Sequence, residues 1–551
     1  MSKPFPSSAH FETLAQALAS SANACPDRAL LQVLPETARM YGISAGEISY
    51  AQAQGEATRL RQAYAKAGYG HGHRVGLLLE NRPAFILHWM ALNALGVSVV
   101  PINGEMRAAE LEYLIDHSEM VLAVALSSHH EVLRSAALTV GSPLLVIRED
   151  EPPPPAARPA SLAAQTVGIE TECGLLYTSG TTGRPKGCIL SNRYFLMAGQ
   201  WYARLKGVVN LQPCQERMLT PLPLVHMNAM AFSYTAMLIT GGCLILVDRF
   251  HPSTWWDSVR ESQATVIHYL GVMPAMLMKA PASPRDREHQ VRFGFGAGVN
   301  RSLHQPFEDR FGFPLVEAWA MTETGAGGVV IAHEEPRLPG TSCFGREDDS
   351  LEVRLVADDG QPAAVDQPGE LLVRRTGPKP RLGFFSGYLK DEAATREAWA
   401  DGWFHTGDIV QRDAMGQLHF IDRRKNVIRR SGENIAAVEV ESVLLQHPLV
   451  SAAAVAAVPD PVRGDEVMAC VIASQMPDSA QAREDSAFDI VQWCLSRLAY
   501  YKAPGYVAFV QALPLTTSQK VQRADLRQLA ASLPGQEVCI DTRHLKKRQT
   551  A

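Results

Sequence analysis

The stretch "YTSGTTGRPKG", Tyr177 to Gly187, decides how the chain is read. It carries the aliphatic hydroxyls of Thr178, Ser179, Thr181 and Thr182, glycines at 180, 183 and 187, and one lysine, Lys186. Hydroxyls and exposed backbone N–H groups can wrap a triphosphate, and a lysine adds charge. A P-loop would need a Gly-Lys dipeptide followed by Ser or Thr. The chain contains no Gly-Lys pair, which excludes that reading. A polar surface turn between Leu175-Leu176-Tyr177 and the next helix is the ordinary alternative, and from the loop alone the two readings weigh equally.

Around the loop, helical periods alternate with short β-rich runs. Residues 51–67 and 82–95 read as helices, and 74–79, 97–102, 144–147 and 244–247 as strands. This alternation predicts α/β layers with largely parallel sheets. The apolar run 85–102 is broken by His88, Asn93 and Ser98, so it reads as a buried helix leading into a strand rather than a membrane span. A proline run, Pro152-Pro153-Pro154-Pro155, opens a surface linker before the loop. Beyond about Asp358 the texture changes to short β-runs with glycine turns (371–373, 418–421). After Asp422-Arg423-Arg424-Lys425-Asn426 a compact α+β pattern follows, with helices at 438–445 and 487–498 and strands at 452–458 and 467–473. The expected division is therefore 1–421 and 422–551.

With 551 residues the chain is too long for one ordinary core. The 46% hydrophobic and 20% charged residues describe a globular chain. A formal net charge of -5 without a dominant basic block argues against nucleic-acid binding; the basic stretch His544–Arg548 reads as a solvated end. The nine cysteines show no CxxC pair and no metal-ligand spacing, which fits a reducing compartment. The opening Met1–Pro6 lacks a long apolar signal region, and the cytoplasm is the expected location.

Other segments break the tie over the loop. In chain order they are Glu317-Ala318-Trp319-Ala320-Met321-Thr322-Glu323, Gly402-Trp403-Phe404-His405-Thr406-Gly407-Asp408, Asp422-Arg423-Arg424-Lys425 and Leu513-Pro514-Leu515-Thr516-Thr517-Ser518-Gln519-Lys520. Together with the loop they resemble the adenylate-forming superfamily of acyl-CoA synthetases, amino-acid-activating domains and luciferases, from the Pro26–Leu30 region to Lys520. Arg429-Arg430-Ser431-Gly432-Glu433-Asn434-Ile435, Asn192-Arg193-Tyr194-Phe195 and His226-Met227-Asn228-Ala229 are most similar to crotonobetaine/carnitine-CoA ligase-like acyl-CoA ligases. The fold this implies is a large N-terminal AMP-binding domain of layered α/β subdomains plus a β-rich subdomain, and a small, mobile α+β C-terminal domain carrying the catalytic lysine.

The resemblance also implies roles. Thr178, Ser179, Gly180, Thr181, Thr182, Gly183 and Lys186 would hold the ATP phosphates, Thr182 among the catalytic groups. Gly296-Ala297-Gly298 would run along adenine and the acyl group, where glycine permits close approach. Glu317 to Met321 would line the nucleotide, with Trp319 in place of the family's usual tyrosine and Ala320 in place of its glycine; an indole still offers a stacking face. Thr322 would bond the α-phosphate and Glu323 would hold Mg²⁺, a hard cation that takes oxygen ligands. Asp408 and Arg423 would bond the ribose. His226, Asn228, Gly271 and Gly298 would line the acyl pocket, with His226 as its gate. Arg429, Ser431 and Gly432 would bind CoA, Lys425 would be a hinge, and Lys520 would act on the α-phosphate and acyl oxygens. Without the motifs, each residue has an ordinary reading: a core Trp or His, a helix start at Thr322-Glu323, or solvated charges at 408 and 423. Two departures stand out: Leu515 replaces a basic residue and Gln519 replaces a glycine, which alters a turn that positive φ would suit.

The expected activity is that of an ATP-dependent acyl-CoA ligase acting on a small carboxylic acid, with Mg²⁺, ATP and CoA. One alternative is an adenylate-forming enzyme that passes the acyl group to a carrier protein or an amine. The other, of a different class, is an inactive nucleotide-binding scaffold, against which Glu323, Asp408, Arg423 and Lys520 speak.

Overall fold

A computed structural model describes residues 10–157, 166–178, 184–299, 301, 303–357, 359–423, 427–514, 521 and 523–547. It is a mixed α/β structure with a large N-terminal part and a smaller C-terminal part. Two large sheets organise the first. One runs in the order Val330–Ile331, Leu315–Trp319, Phe293–Ala297, Val266–Leu270, Arg217–Thr220, Cys243–Leu246, Ala29–Val33, Gly46–Ser49. Its inner pairings are parallel, and only the two edge pairings are antiparallel. The other runs Gly387–Tyr388, Lys186–Ser191, Glu172–Thr178, Ser98–Pro101, Arg74–Leu78, Leu122–Ala125, Leu145–Ile147. Its strands are likewise parallel apart from the two antiparallel pairings of Lys186–Ser191. Parallel strands buried on both faces read as continuous apolar runs, which is why 97–102 and 244–247 are legible as strands.

The helices between the sheets share one apolar core. Leu14–Ala24, Pro83–Asn93, Asn192–Arg204 and Thr235–Thr240 all contribute to it. At its centre the fully buried Trp89 lies edge-on to Phe195, 5.0 Å between ring centroids, and 5.6 Å from Tyr234. Truncating such a residue to alanine costs about 3–5 kcal/mol. Helix starts follow local chemistry. Ser49 and Gln52 form a capping box that opens Tyr50–Lys66, and Pro83 at the first turn sets the start of Pro83–Asn93.

An antiparallel sheet of Leu351–Val356, Pro368–Arg375, Phe404–Arg412 and Leu418–Arg423 is the β-rich subdomain. The C-terminal part is built on a separate sheet, Glu433–Ala436, Val427–Arg430, Gly464–Ala473, Tyr506–Phe509, Cys539–Asp541, with Val450–Asp460 paired to Gly464–Ala473. It has its own apolar clusters, among them Ile428, Val440, Val467 and Ile490. The largest boundary difference from expectation is in one helix. The helix expected over 487–498 spans Ala480–Leu495, because the Ser479 side chain accepts from Ala482 N–H and starts it earlier. Among the described residues no helix is long and apolar enough to cross a membrane.

Candidate active site

Ligands of open α/β sheets bind beyond the carboxyl ends of the strands. Here those ends are Thr178 in one sheet and Thr220, Leu270, Ala297 and Trp319 in the other. Several of the expected site residues that the structure describes lie at or next to these ends.

At the end of Leu315–Trp319 the indole Nε1–H of Trp319 donates to Asp408 Oδ2 at 2.8 Å. Both are buried, Trp319 to 6% and Asp408 to 1% exposure. The Trp319 ring centroid lies 6.2 Å from that of Phe344. The backbone of Asp408 is paired opposite Arg423, so the two expected ribose residues share one rung of the antiparallel sheet.

Glu317, two residues earlier, is used differently from a direct ligand. Its Oε1 accepts from Gly298 N–H at 3.0 Å and Val299 N–H at 3.1 Å, so it buttresses the turn after Phe293–Ala297. Burial pushes the Glu317 carboxyl up, against the pull of His304 and of those two N–H groups. Gly298 has φ +77°, and its carbonyl oxygen passes 1.6 Å from where a Cβ on Gly271 would stand. Only glycine fits at 271.

Glu323 connects the two large sheets. Its Oε1 accepts from the Tyr388 hydroxyl at 2.9 Å and from Thr178 Oγ1 at 3.3 Å. Phe385 N–H donates to its carbonyl at 2.9 Å. Burial first, and Glu323 second, push the Cys188 thiol and the Tyr388 hydroxyl far up, so both stay protonated beside the carboxylate. Among the described residues no lysine or arginine pairs with Glu323, and no group of three or more His, Cys, Asp or Glu could hold a metal. A nearly buried carboxylate met by two hydroxyls and the Cys188 thiol, all neutral, fits Mg²⁺, which completes its shell with phosphates and water. Lys186 stands nearby, 4.9 Å from the Tyr388 ring centroid and 3.9 Å from Asp391. Ala318, Ala320, Met321 and Thr322 are half-buried along the same segment.

Beyond Arg217–Thr220 the chain passes His226 and enters a π-helical turn, Asn228–Tyr234, a form frequent at functional sites. Asn228 Oδ1 lies 2.9 Å from His268 Nδ1, and Ser233 Oγ 2.8 Å from the same nitrogen. Burial lowers the His268 pKa to about 3, so its ring is neutral and accepts or donates within this network without charge.

The C-terminal part reaches this place as well. Strands Val427–Arg430 and Glu433–Ala436 are joined by the two residues Ser431 and Gly432, with φ +51° and +90°. Two successive positive φ values make a type I′ hairpin, which the right-handed strand twist favours. A Cβ on Gly432 would lie 2.1 Å from Leu270 Cδ1, so the hairpin tip is seated beside the end of strand Val266–Leu270. Glu433 Oε2 lies 3.5 Å from His226 Nε2. Burial opposes charge on both, but the pairing prevails: it lifts His226 above its ordinary value and holds Glu433 below its own. Arg429, on the hairpin's inner strand, is exposed, with its guanidinium 5.5 Å from the Phe420 ring centroid. The expected acyl region thus has an acidic neighbour from the C-terminal part.

Ser179, Gly180, Thr181, Thr182, Gly183, Lys425 and Lys520 lie outside the described residues, as do the departures at Leu515 and Gln519. Tyr388 and Glu433 are the site neighbours that sequence reasoning missed. Glu433 sits inside a quoted motif but has no local signal of its target, and Tyr388 follows a plain glycine turn.

Residues 19–389 match the family model described as AMP-binding enzyme, and 439–520 match that of the AMP-binding enzyme C-terminal domain. Crotonobetaine/carnitine–CoA ligase of Salmonella agona (strain SL483) is 27% identical over 498 residues, covering 87% of this chain and 93% of that protein. The o-succinylbenzoate CoA synthetase of Bacillus subtilis, solved with a product analogue, superposes with a TM-score of 0.76 at 25% identity, over 93% of this chain and 98% of that one. An amide bond synthetase from Marinactinospora thermotolerans shares the fold, with a TM-score of 0.77 at 23% identity, over 94% of this chain and 99% of that one. With its larger model spanning well over half of the sequence, the chain belongs to the AMP-binding enzyme family.

Proposed function

We propose that the chain joins a small carboxylic acid to CoA in two steps at one site. It is an ATP-dependent, AMP-forming acyl-CoA ligase. The carboxylate oxygen attacks the α-phosphorus of ATP and expels pyrophosphate. The CoA sulfur then attacks the acyl carbon, AMP leaves with the bonding electron pair, and the thiol proton passes to solvent. The first step is needed because a carboxylate is a poor electrophile, whereas an acyl-adenylate carries a good leaving group. Family membership and the activity of the Salmonella relative support this reading.

The roles assigned to residues follow the same reading. Trp319 and the Gly296–Gly298 turn take adenine, Asp408 and Arg423 the ribose, and Thr322, Lys186 and the loop from Thr178 to Gly183 the phosphates. Glu323 holds Mg²⁺, which neutralises phosphate charge when bound. Lys520 stabilises charge on the reacting oxygens. His226, Asn228 and Gly271 surround a neutral acyl tail. In a second pose, reached by rotation at Lys425, Lys520 withdraws and the Arg429–Gly432 hairpin borders the CoA arm. A cytoplasmic setting belongs to this reading, supported by nine free cysteines.

The observation that carries the second step is the Ser431–Gly432 hairpin lying against Leu270 with Glu433 beside His226. That contact supports the second pose. The test is pyrophosphate release across a panel of carboxylic acids, with and without CoA, followed by mass detection of the product. Thioester is expected only with CoA. Accumulation of acyl-AMP that CoA leaves untouched, but a carrier thiol or amine consumes, would overturn the CoA assignment.

A further inference from the structure

The hairpin does not hold its place alone. Away from it, helix Ala108–Ser118 of the N-terminal part meets the segment Leu498–Lys502 of the C-terminal part. Glu110 is central. Its Oε2 accepts from Arg107 N–H at 3.0 Å, closing its own helix, and from Ala499 N–H at 3.0 Å across the interface. Its Oε1 accepts from Lys502 Nζ. Arg107 Nε donates to the Leu498 carbonyl at 3.3 Å. Lys502 also donates to Glu439 Oε1 at 2.8 Å, at the start of the helix that follows the hairpin. All three charged side chains are 9–10% exposed.

A buried ion pair is weak as a source of stability, because desolvation offsets most of the attraction. Across an interface it serves chiefly to fix one arrangement. Burial works against the Lys502 charge, yet Glu110 and Glu439 outweigh it and hold the ammonium well above its ordinary range. The division of partners is informative. Glu439 belongs to the same part as Lys502 and would move with it, whereas Glu110 belongs to the other part. Separation therefore leaves no unpaired lysine, and the contact can open. The residue before Lys502, Tyr501, hydrogen-bonds Glu433, which faces His226. Glu110, Lys502, Tyr501, Glu433 and His226 form one continuous chain of contacts from the interface to the site.

We propose that Glu110 and Lys502 are positioning residues for the second half-reaction: a releasable latch that holds the Gly432 hairpin at the acyl site and is absent when the adenylate forms. This rests on the two-pose reading given above. The test uses the full chain in two single-turnover assays, acid plus MgATP to acyl-AMP, and synthetic acyl-AMP plus saturating CoA to thioester. Glu110→Gln can keep its carbonyl oxygen toward the N–H groups of Arg107 and Ala499, and it puts an uncharged amide nitrogen, which cannot accept, in place of the oxygen that meets Lys502. It is expected to slow the second assay about tenfold and leave the first within about twofold. Lys502→Met alone and combined with Glu110→Gln should be no slower together than the worse single variant, since both remove one contact. Lys520→Ala is the control for the poses, expected to slow only the first assay. If Glu110→Gln slows both assays alike, only the first, or neither, while Lys520→Ala still separates them, the latch is wrong and the two poses stand. Multiplying losses in the double variant also overturn the latch. If Lys520→Ala slows both assays equally, the two-pose reading falls, and the latch with it.

Discussion

The indole N–H of Trp319 and the carboxylate of Asp408, 89 residues apart, are joined by a 2.8 Å hydrogen bond. A tyrosine hydroxyl in place of the indole would have another reach, so the tryptophan joins the ring proposed to face adenine and the carboxylate proposed to bond the ribose in one unit. Trp319→Phe keeps an aromatic face and deletes the donor. A hydrogen bond to a charged group contributes about 1.5–3 kcal/mol. The expected result is a KM for ATP raised roughly tenfold with kcat little changed, measured by pyrophosphate release against ATP concentration. An unchanged KM would separate the pair from nucleotide binding.

Glu323→Gln retains hydrogen-bonding atoms toward Thr178 and Tyr388 and removes the charge. Adenylation is expected to fall about 10²-fold or more, the typical loss of one catalytic electrostatic contact. The Mg²⁺ concentration for half-maximal rate should rise, while the thermal midpoint stays close to that of the parent. Parent-like rates at low Mg²⁺ would remove Glu323 from metal binding.

The His226–Glu433 pair gives a pH signature. His226 is raised above 6.5, so its contribution is complete below that pH and is lost as pH climbs through the raised value. Glu433 is held below 4.5, so its contribution is complete above that pH and is lost as pH falls through the depressed value. Between 4.5 and 6.5 both contributions are present. His226→Gln should therefore lower the thermal midpoint most near pH 5–6 and least in alkaline buffer. Because His226 is partly exposed, the difference is small, about 0.2–1 kcal/mol. A difference that grows with rising pH would contradict the pairing.

Two glycines should fail in different ways. Gly271→Ala drives a Cβ into the Gly298 carbonyl, a backbone atom that cannot step aside. Overpacking of this kind costs about 1–3 kcal/mol, and both stability and adenylation should drop. Gly432→Ala meets the end of the Leu270 side chain at φ +90°. It should slow thioester formation from supplied acyl-AMP and spare adenylation. Thermal melts and the two half-reaction assays distinguish these outcomes.

Much was legible from residue order alone. Parallel core strands announce themselves as apolar runs: 244–247 falls within one residue of Cys243–Leu246, and 74–79 of Arg74–Leu78. The glycines at 296, 298 and 432 and the carboxylates at 323 and 408 could be named because they sit in short motifs that resemble the adenylate-forming superfamily, each read from neighbours along the chain. The early start of Ala480–Leu495 was missed because Ser479 lies among polar residues with no apolar period behind it.

The sequence by itself determined the layered α/β architecture, the nucleotide-type motifs and the residues on which the chemistry is proposed to rest. Each depends on periods of two or 3.6 residues, or on short motifs whose atoms are neighbours along the chain. Only the tertiary structure decided which of them meet. It gave Glu317 to the Gly298 turn, Trp319 to Asp408, Glu433 to His226 and Lys502 to Glu110, the last pair 392 residues apart. A side chain's partner is set by where sheets and domains cross, and no local pattern encodes that crossing.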